Sequence, residues 1–336
     1  MTAKNYTSNY EFIIICKRSE VIMKAARLFT AILLTALTFT SSHAQDWAKD
    51  NLDLRKALPN ITDSPVRKVP VNSLAPIADS QGIIRRVRLY DDELKACALT
   101  FDMCELDTVT TGCDMDVINF LREKNIPATL FMGGKWMRTH SRRVKQIMTA
   151  KNFEIANHNW SHGNCALLSS EGLKAQVLWT QSQYELLREE AGLDDIQPVP
   201  TLFRLPYGRS SESAVKIINE LGLRVIQWDV AAESGDNSNM KRAKRSARLV
   251  ADMTRPGSIL LFHANLVPKG TINLLREVVS ILESRGYEFV KVSELLEMGE
   301  PEITRDGYFT KPGDNKALDK KFGIDGTGRK TRFTGK

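Results

Sequence analysis

The sequence predicts an α/β fold: a distorted (β/α) barrel of about seven parallel strands, in a single domain with an irregular N-terminal arm and a C-terminal tail. Three observations predict it. Apolar runs of strand length recur seven times, segments with helical spacing separate most of them, and the rare reactive residues collect just beyond the ends of the runs. Alternating strands and helices imply a parallel sheet, and about seven strands come close to what closes a barrel. An open doubly wound sheet is the plainer alternative.

Taken in order, the chain of 336 residues opens on a segment with the layout of an export signal. Lys24 and Arg27 precede a mostly apolar stretch that ends in Ser42-His43-Ala44, so residues 23–44 read as a secretory signal peptide cleaved after Ala44. The apolar stretch is short for a bilayer span, which argues against an integral membrane protein. Met23 is then a better start than Met1, and residues 1–22 read as an upstream extension. Residues 45–84, with Pro59, Pro65, Pro70 and Pro76, form the irregular arm.

The strand-like runs follow as Ala96–Phe101, Ala128–Met132, Phe153–Ala156, Thr201–Leu205, Arg224–Val230, Ser258–Phe262 and Tyr287–Val292. Helical spacing is found over 114–124, 211–221 and 271–285. A longer helix, capped by Ser169 or Ser170, aligns Leu173, Val177, Tyr184 and Leu187 on one stripe and ends near Gly192. The domain occupies residues 85–298, and 299–336 read as a basic, loosely ordered tail.

Composition narrows the function classes. With 26% charged and 42% hydrophobic residues the chain is an ordinary globular protein able to bury a core. Its formal charge of +7 falls to +4 once residues 1–44 are removed, and the tail supplies most of what remains. A nearly neutral body gives no case for nucleic acid, though the basic tail allows weak attraction to an acidic envelope polymer. Export leaves Cys97, Cys104, Cys113 and Cys165 in an oxidising compartment, an even number that allows three pairings.

The chemistry lies at the run ends. His158 and His162 stand four apart in ANHNWSH, a spacing that is weak evidence by itself, since it clamps a metal only if both rings reach one face. The context strengthens it. The first run ends at Asp102, the third leads to His158 and His162, the fourth to Arg204 through Gly208, the fifth to Trp228 and on to Asp236, and the sixth to His263. Barrel enzymes place their catalytic groups at that end of the strands. Two histidines, a carboxylate and an open position describe a catalytic zinc-type site, and a carboxylate base with a third histidine as acid completes metal-assisted hydrolysis of an acyl group.

In their order, Thr100–Asp102 (TFD), His158–His162 (HNWSH), Arg204–Gly208 (RLPYG), Trp228–Asp236 and Leu261–His263 (LFH) resemble the motifs of the polysaccharide deacetylase family, the NodB-homology domain of the carbohydrate esterases. The resemblance spans about residues 84–298. It implies a distorted barrel and a metal-dependent enzyme that removes N-acetyl groups from amino sugars of a polysaccharide or peptidoglycan. It implies Asp102 as general base, His158 and His162 as ligands of a divalent metal, most simply zinc with cobalt or nickel as alternatives, and Arg204 as the ion-pair partner of Asp102. Tyr207 would offer a backbone N–H to the oxyanion, and His263 would be the general acid, oriented by Asp236, with Asp229 as the alternative. Trp228 and Leu261 would line the acetyl pocket, although a core role for Trp228 is the plainer one.

The chain departs from the family at Met103, where a second acidic ligand is usual. A thioether is a poor ligand for such an ion. Glu105 is the nearest carboxylate to take the third position, with Asp107, Asp102 itself or water as alternatives. In AESGDN the Trp that often follows the Asp is also missing. The fold implied by the resemblance brings the Cys104 and Cys165 loops together, so a disulfide between them is expected, with a His158, His162 and Cys165 zinc site as the rival. The expected partner is an acetylated glycan substrate and the expected location the periplasm or the extracellular space. A catalytically silent carbohydrate-binding protein and an O-acetyl esterase are the competing functions.

Overall fold

The computed structural model describes residues 47–49, 53, 64–77, 82–194, 197–314 and 316–324. The upstream extension and the signal peptide lie outside the described residues. Where the arm is described at 64–77 it is irregular, and it is tied to the domain by Glu185, whose carboxylate accepts from the backbone N–H groups of Val71 and Asn72. Among the described residues no helix is long and apolar enough to cross a membrane.

The strands are β1 (Ile83–Leu89), β2 (Ala96–Met103), β3 (Ala128–Met132), β4 (Phe153–Asn157), β5 (Leu202–Phe203), β6 (Arg224–Ile226), β7 (Val230–Ala231), β8 (Ile259–His263), β9 (Glu288–Phe289) and β10 (Gly299–Thr304). Along the sheet they run β10-β1-β6-β5-β4-β3-β2-β8-β7, with β9 pairing β2. Every pairing is parallel except β1 with β10. β6 and β7 are successive parts of one run, the first pairing with β5 and the second with β8. At that switch, Gln227–Asp229, one run passes from the middle of the sheet to its β7 edge, and the curled sheet is a distorted, open barrel.

Each expected run contains a strand, although Arg224–Val230 is broken between β6 and β7 and Tyr287–Val292 keeps only Glu288–Phe289 before Val292 opens a helix; the expected helices are present as α1 (Met115–Glu123), α4 (Ser170–Glu190), α5 (Glu212–Glu220) and α7 (Thr271–Ser284). Three of their N-termini follow from side-chain caps: Asp114 accepts from Val117 N, Ser169 from Gly172 N and Ser211 from Ala214 N, whereas α7 starts after Gly270 without one. Helices α2 (Gly134–Thr139), α3 (Ser141–Met148), α6 (Met240–Met253), α8 (Val292–Glu297) and α9 (Lys316–Phe322) complete the set among the described residues.

The β1–β10 ribbon is the main difference from the sequence reading, which put Gly299–Thr304 in a loosely ordered tail. Arg86 and Arg88 face Glu302 and Glu300 across the antiparallel register, and Arg86 Nη2 lies 3.0 Å from Glu302 Oε1. Opposite charges directly across a ladder stabilise the pairing. They also hide both segments from an apolar-pattern reading, because neither strand looks like a strand without its partner.

The period of two along each strand sorts the cores. Cys97, Leu99, Phe101 and Met103 point outward into the layer between sheet and helices, together with Leu130, Met132, Leu260 and Phe262. Ala96, Ala98, Phe131, Ala156, Ile226, Trp228, Ile259 and Leu261 fill the barrel interior. That parity decides which residues at the strand ends face the site.

Candidate functional site

The strand register assembles the site. Asp102 on β2 is the direct partner of His263 on β8. One level higher, Met103, Met132, Asn157 and Phe203 align across β2 to β5, so the next residues, Cys104, Gly133, His158 and Arg204, leave the sheet side by side. Gly133 puts no side chain between Cys104 and His158.

Arg204 is fully buried inside the barrel. Its guanidinium donates from Nη1 to Asp102 Oδ1 at 2.9 Å and to Thr100 Oγ1 at 2.7 Å, from Nε to Ile226 O and from Nη2 to Gln227 O. It lies 3.9 Å over the Phe131 ring. A buried charge persists only when paired and hydrogen-bonded, and here cation and anion each supply that for the other. Asp102 is 4% exposed, and its second oxygen lies 3.4 Å from His158 Nε2. The expected Asp102–Arg204 pair is therefore formed.

His158 is held through Nδ1, 3.0 Å from Arg204 O, which leaves Nε2 facing the site without a hydrogen bond. The i,i+4 spacing is not delivered by a helix. Residues 158–163 form a compact turn in which Asn159 and His162 adopt positive φ, and Gln176 of α4 accepts from the backbone N–H of Trp160 and Ser161. Such left-handed non-glycine residues are strained and cluster at functional sites. The turn sets the two imidazoles edge to face with centroids 4.9 Å apart, and His162 Nδ1 is also buried without a hydrogen bond. Burial lowers the pKa of both rings, that of His162 well below the ordinary value. Neutral rings with free nitrogens are what a metal requires.

The third group near them is Cys104. Its ligand atom and those of His158 and His162 all lie within 4.8 Å of one another. Glu105, expected as third ligand, is turned away: it is fully buried, accepts from Thr139 Oγ1 at 2.9 Å and Thr111 N at 3.2 Å, and lies 3.9 Å from His140 Nε2. Burial pushes its pKa up to about 7 against those two hydrogen bonds. The reason is the pleat: Thr100, Asp102 and Cys104 share the inward parity, while Met103 and Glu105 share the outward one. The parity of Cys104 with Asp102 was the signal available in the sequence.

The expected Cys104–Cys165 disulfide is corrected: neither Cys104 nor Cys165 forms a disulfide. Cys165 Sγ accepts from Asn159 Nδ2 at 3.4 Å within its own loop, and Cys104 faces the imidazoles instead.

His263 has a partner that the sequence reading missed. Its Nδ1 lies 2.7 Å from Glu233 Oε2, and the other Glu233 oxygen accepts from Thr271 Oγ1. Burial, the largest influence, favours the neutral ring, but the hydrogen bond and charge of Glu233 and the charge of Asp102 outweigh it, so the His263 pKa is raised. Asp236, expected in this role, is exposed and accepts from Ser238 N in a local turn. Asp229 serves the other end of β8, accepting from Ser258 Oγ and Ile259 N. Register explains the choice. Val230 and Ala231 pair with Leu260 and Leu261, and continuing that ladder by two residues brings Glu233 beside His263.

Tyr207 sits in a 3-10 turn (Pro206–Gly208) at φ 60°, its ring 4.3 Å from that of His162. Gly208 follows at φ 65°, and a Cβ there would stand 2.8 Å from Tyr308 O. The close neighbour is the tail. Phe309 O accepts from Trp228 Nε1 at 2.9 Å and from Arg85 Nη2, and Asp319 binds Arg209 through both oxygens and Asn164 Nδ2. The tail thus packs beside the turns that carry His162 and Tyr207. Trp228 and Leu261 both lie in the barrel interior below the site, each 2% exposed.

Residues 90–226 match the polysaccharide deacetylase family, a segment that ends before Trp228, Glu233 and His263. The chain is 30% identical over 217 residues to the peptidoglycan-N-acetylglucosamine deacetylase PgdA of Listeria monocytogenes, covering 65% of this chain and 42% of that protein. It is 29% identical to a peptidoglycan-N-acetylglucosamine deacetylase of Bacillus cereus, covering 60% of this chain and 88% of the relative. To a chitooligosaccharide deacetylase of Azorhizobium caulinodans it is 27% identical, covering 56% and 89%. The chain thus spans less than half of the Listeria relative. Among solved structures, a CE4 family pseudoenzyme from Bacillus anthracis aligns with TM-score 0.53 at 23% identity, covering 66% of this chain and 70% of that one. The fold is shared.

Proposed function

The chain belongs to the polysaccharide deacetylase family, and from that premise we propose that it is an exported, metal-dependent hydrolase that removes N-acetyl groups from the amino sugars of peptidoglycan or a related polysaccharide. The observation that carries the reading is the level of the sheet at which Asp102, paired with Arg204, stands beside His263, paired with Glu233. A carboxylate paired with a guanidinium, next to a histidine whose pKa is raised through its own carboxylate partner, is the arrangement general acid–base acyl transfer requires.

The residues fit a divalent ion: His158, fully buried, and His162, partly exposed, each carry a buried ring nitrogen without a hydrogen bond, and burial lowers the pKa of both rings. When bound, such an ion polarises the acetyl carbonyl and lowers the pKa of water. Asp102 takes the proton of the attacking water, with Arg204 keeping the carboxylate in place. The backbone N–H of Tyr207, fixed by its left-handed turn, stabilises the charge that develops on the carbonyl oxygen. His263 gives its proton to the departing amine, and Glu233 supports the imidazolium.

Acetate release from a chitooligosaccharide or a muropeptide tests this. Turnover is expected to stop with a chelator and return with zinc or cobalt, and Asp102→Asn is expected to lose it. A chain that binds no divalent ion, or an Asp102→Asn variant of unchanged activity, refutes the mechanism. An O-acetyl esterase would use the same residues, and acetylated xylan in the same panel separates the two. The silent carbohydrate-binding alternative drew on Met103, but that side chain points outward into the sheet–helix core, away from the imidazoles.

A further inference from the structure

We propose that the Cys104 thiolate is the third protein ligand of the ion, in place of a carboxylate, so that the centre is a His158, His162 and Cys104 site selective for thiophilic ions. The inference rests on the deacetylase reading for the purpose of the site, and on the geometry alone for its ligands.

Four observations carry it. Cys104 shares the inward parity of Asp102 and leaves the sheet level with His158, with Gly133 between them. Its ligand atom falls within 4.8 Å of both imidazole ligand atoms. His158 is fully buried, yet its Nε2 has no hydrogen-bond partner, and His162 Nδ1 is in the same condition. Such nitrogens cost free energy unless something accepts their lone pairs. Finally, the cysteine is fixed as a ligand would be. Thr111 Oγ1 and Asn265 Nδ2 donate to its carbonyl at 2.7 and 3.0 Å, and Asn265 Nδ2 also lies 3.7 Å from Sγ. Outer partners of this kind orient a ligand. The nearest carboxylate in sequence, Glu105, is committed to Thr111 and Thr139.

Two nitrogens and one sulfur suit a tetrahedral zinc site with its fourth position open. Binding replaces the thiol proton with the ion and releases that proton to solvent. A soft thiolate favours zinc and cobalt over magnesium and calcium.

The test uses the full chain, stripped of metal and reconstituted with cobalt(II). One equivalent should bind and give a near-ultraviolet sulfur-to-cobalt charge-transfer band together with visible ligand-field bands. Cys104→Ser should abolish the charge-transfer band and weaken zinc binding at least about 10- to 100-fold, the range found when even an outer partner is lost. Cys104→Asp should bind cobalt with ligand-field bands but no sulfur band, which guards against misfolding of the serine variant. Cys165→Ser should keep the band. Stoichiometric cobalt without a sulfur band in the unaltered chain, or a band that survives in Cys104→Ser, overturns the proposal. Acetate release without a sulfur band sinks this inference while leaving the deacetylase reading intact. A sulfur band without acetate release does the reverse.

Discussion

Replacing Arg204 with methionine removes the cation at the centre of the barrel while keeping an apolar side chain of similar length. The guanidinium donates to Asp102, to Thr100 and to the carbonyls of Ile226 and Gln227, and it is fully buried. Asp102, itself 4% exposed, would be left as a buried carboxylate without its counter-charge. Removing one partner of a buried pair costs about 3–5 kcal/mol, and the three other acceptors each lose a hydrogen bond worth about 1 kcal/mol. A total of at least ~3 kcal/mol is expected, a large share of the ~5–15 kcal/mol that holds a domain together. Urea unfolding followed by circular dichroism measures it. The double variant Arg204→Met with Asp102→Asn neutralises both charges and should recover at least ~2 kcal/mol of the loss, because a buried pair replaced on both sides is often close to neutral. A single variant that costs under ~1 kcal/mol, or a double variant with no recovery, would refute the claim that the two charges compensate each other.

Glu233→Gln should shift the basic limb of the kcat/KM profile to lower pH, since the raised pKa of His263 depends on Glu233 and a general acid must stay protonated; Asp236→Asn should leave the limb in place. The same pair predicts a stability change: a histidine whose folded pKa is raised contributes stability in full below its unfolded value of about 6.5, lost as pH rises through the folded value. That loss should be absent from Glu233→Gln in unfolding measured across the range. Asp102→Asn should retain the ion, seen by elemental analysis, while kcat/KM for acetate release falls about 100- to 10,000-fold. Glu105→Gln should also retain the ion, whereas His158→Ala loses it; metal loss from the glutamine variant would restore Glu105 as a ligand. Burial pushes the Asp114 pKa up to about 6. Up to about 3 kcal/mol of stability, present below the unfolded value near 4, is therefore lost as pH rises through 6, and Asp114→Asn should flatten that slope while keeping the cap.

Local pattern carried much of this protein. The alternation of apolar runs and capped amphipathic segments is set by side-chain period and backbone hydrogen bonding within a few residues, so the barrel strands, the Ser169 and Ser211 caps and the cluster of Asp102, His158, His162, Arg204 and His263 at one end of the strands follow from the sequence itself. What it left open depends on neighbours distant in the chain. Glu233 is matched to His263 by the β7–β8 ladder, Cys104 to His158 by the β2–β3–β4 register, and the arginines of β1 to the glutamates of β10 across some 210 residues. Each is a relation between two strands, and only tertiary pairing fixes which residues stand level. One residue of pleat, inward for Cys104 and outward for Glu105, separates a side chain that faces the imidazoles from one buried against Thr139.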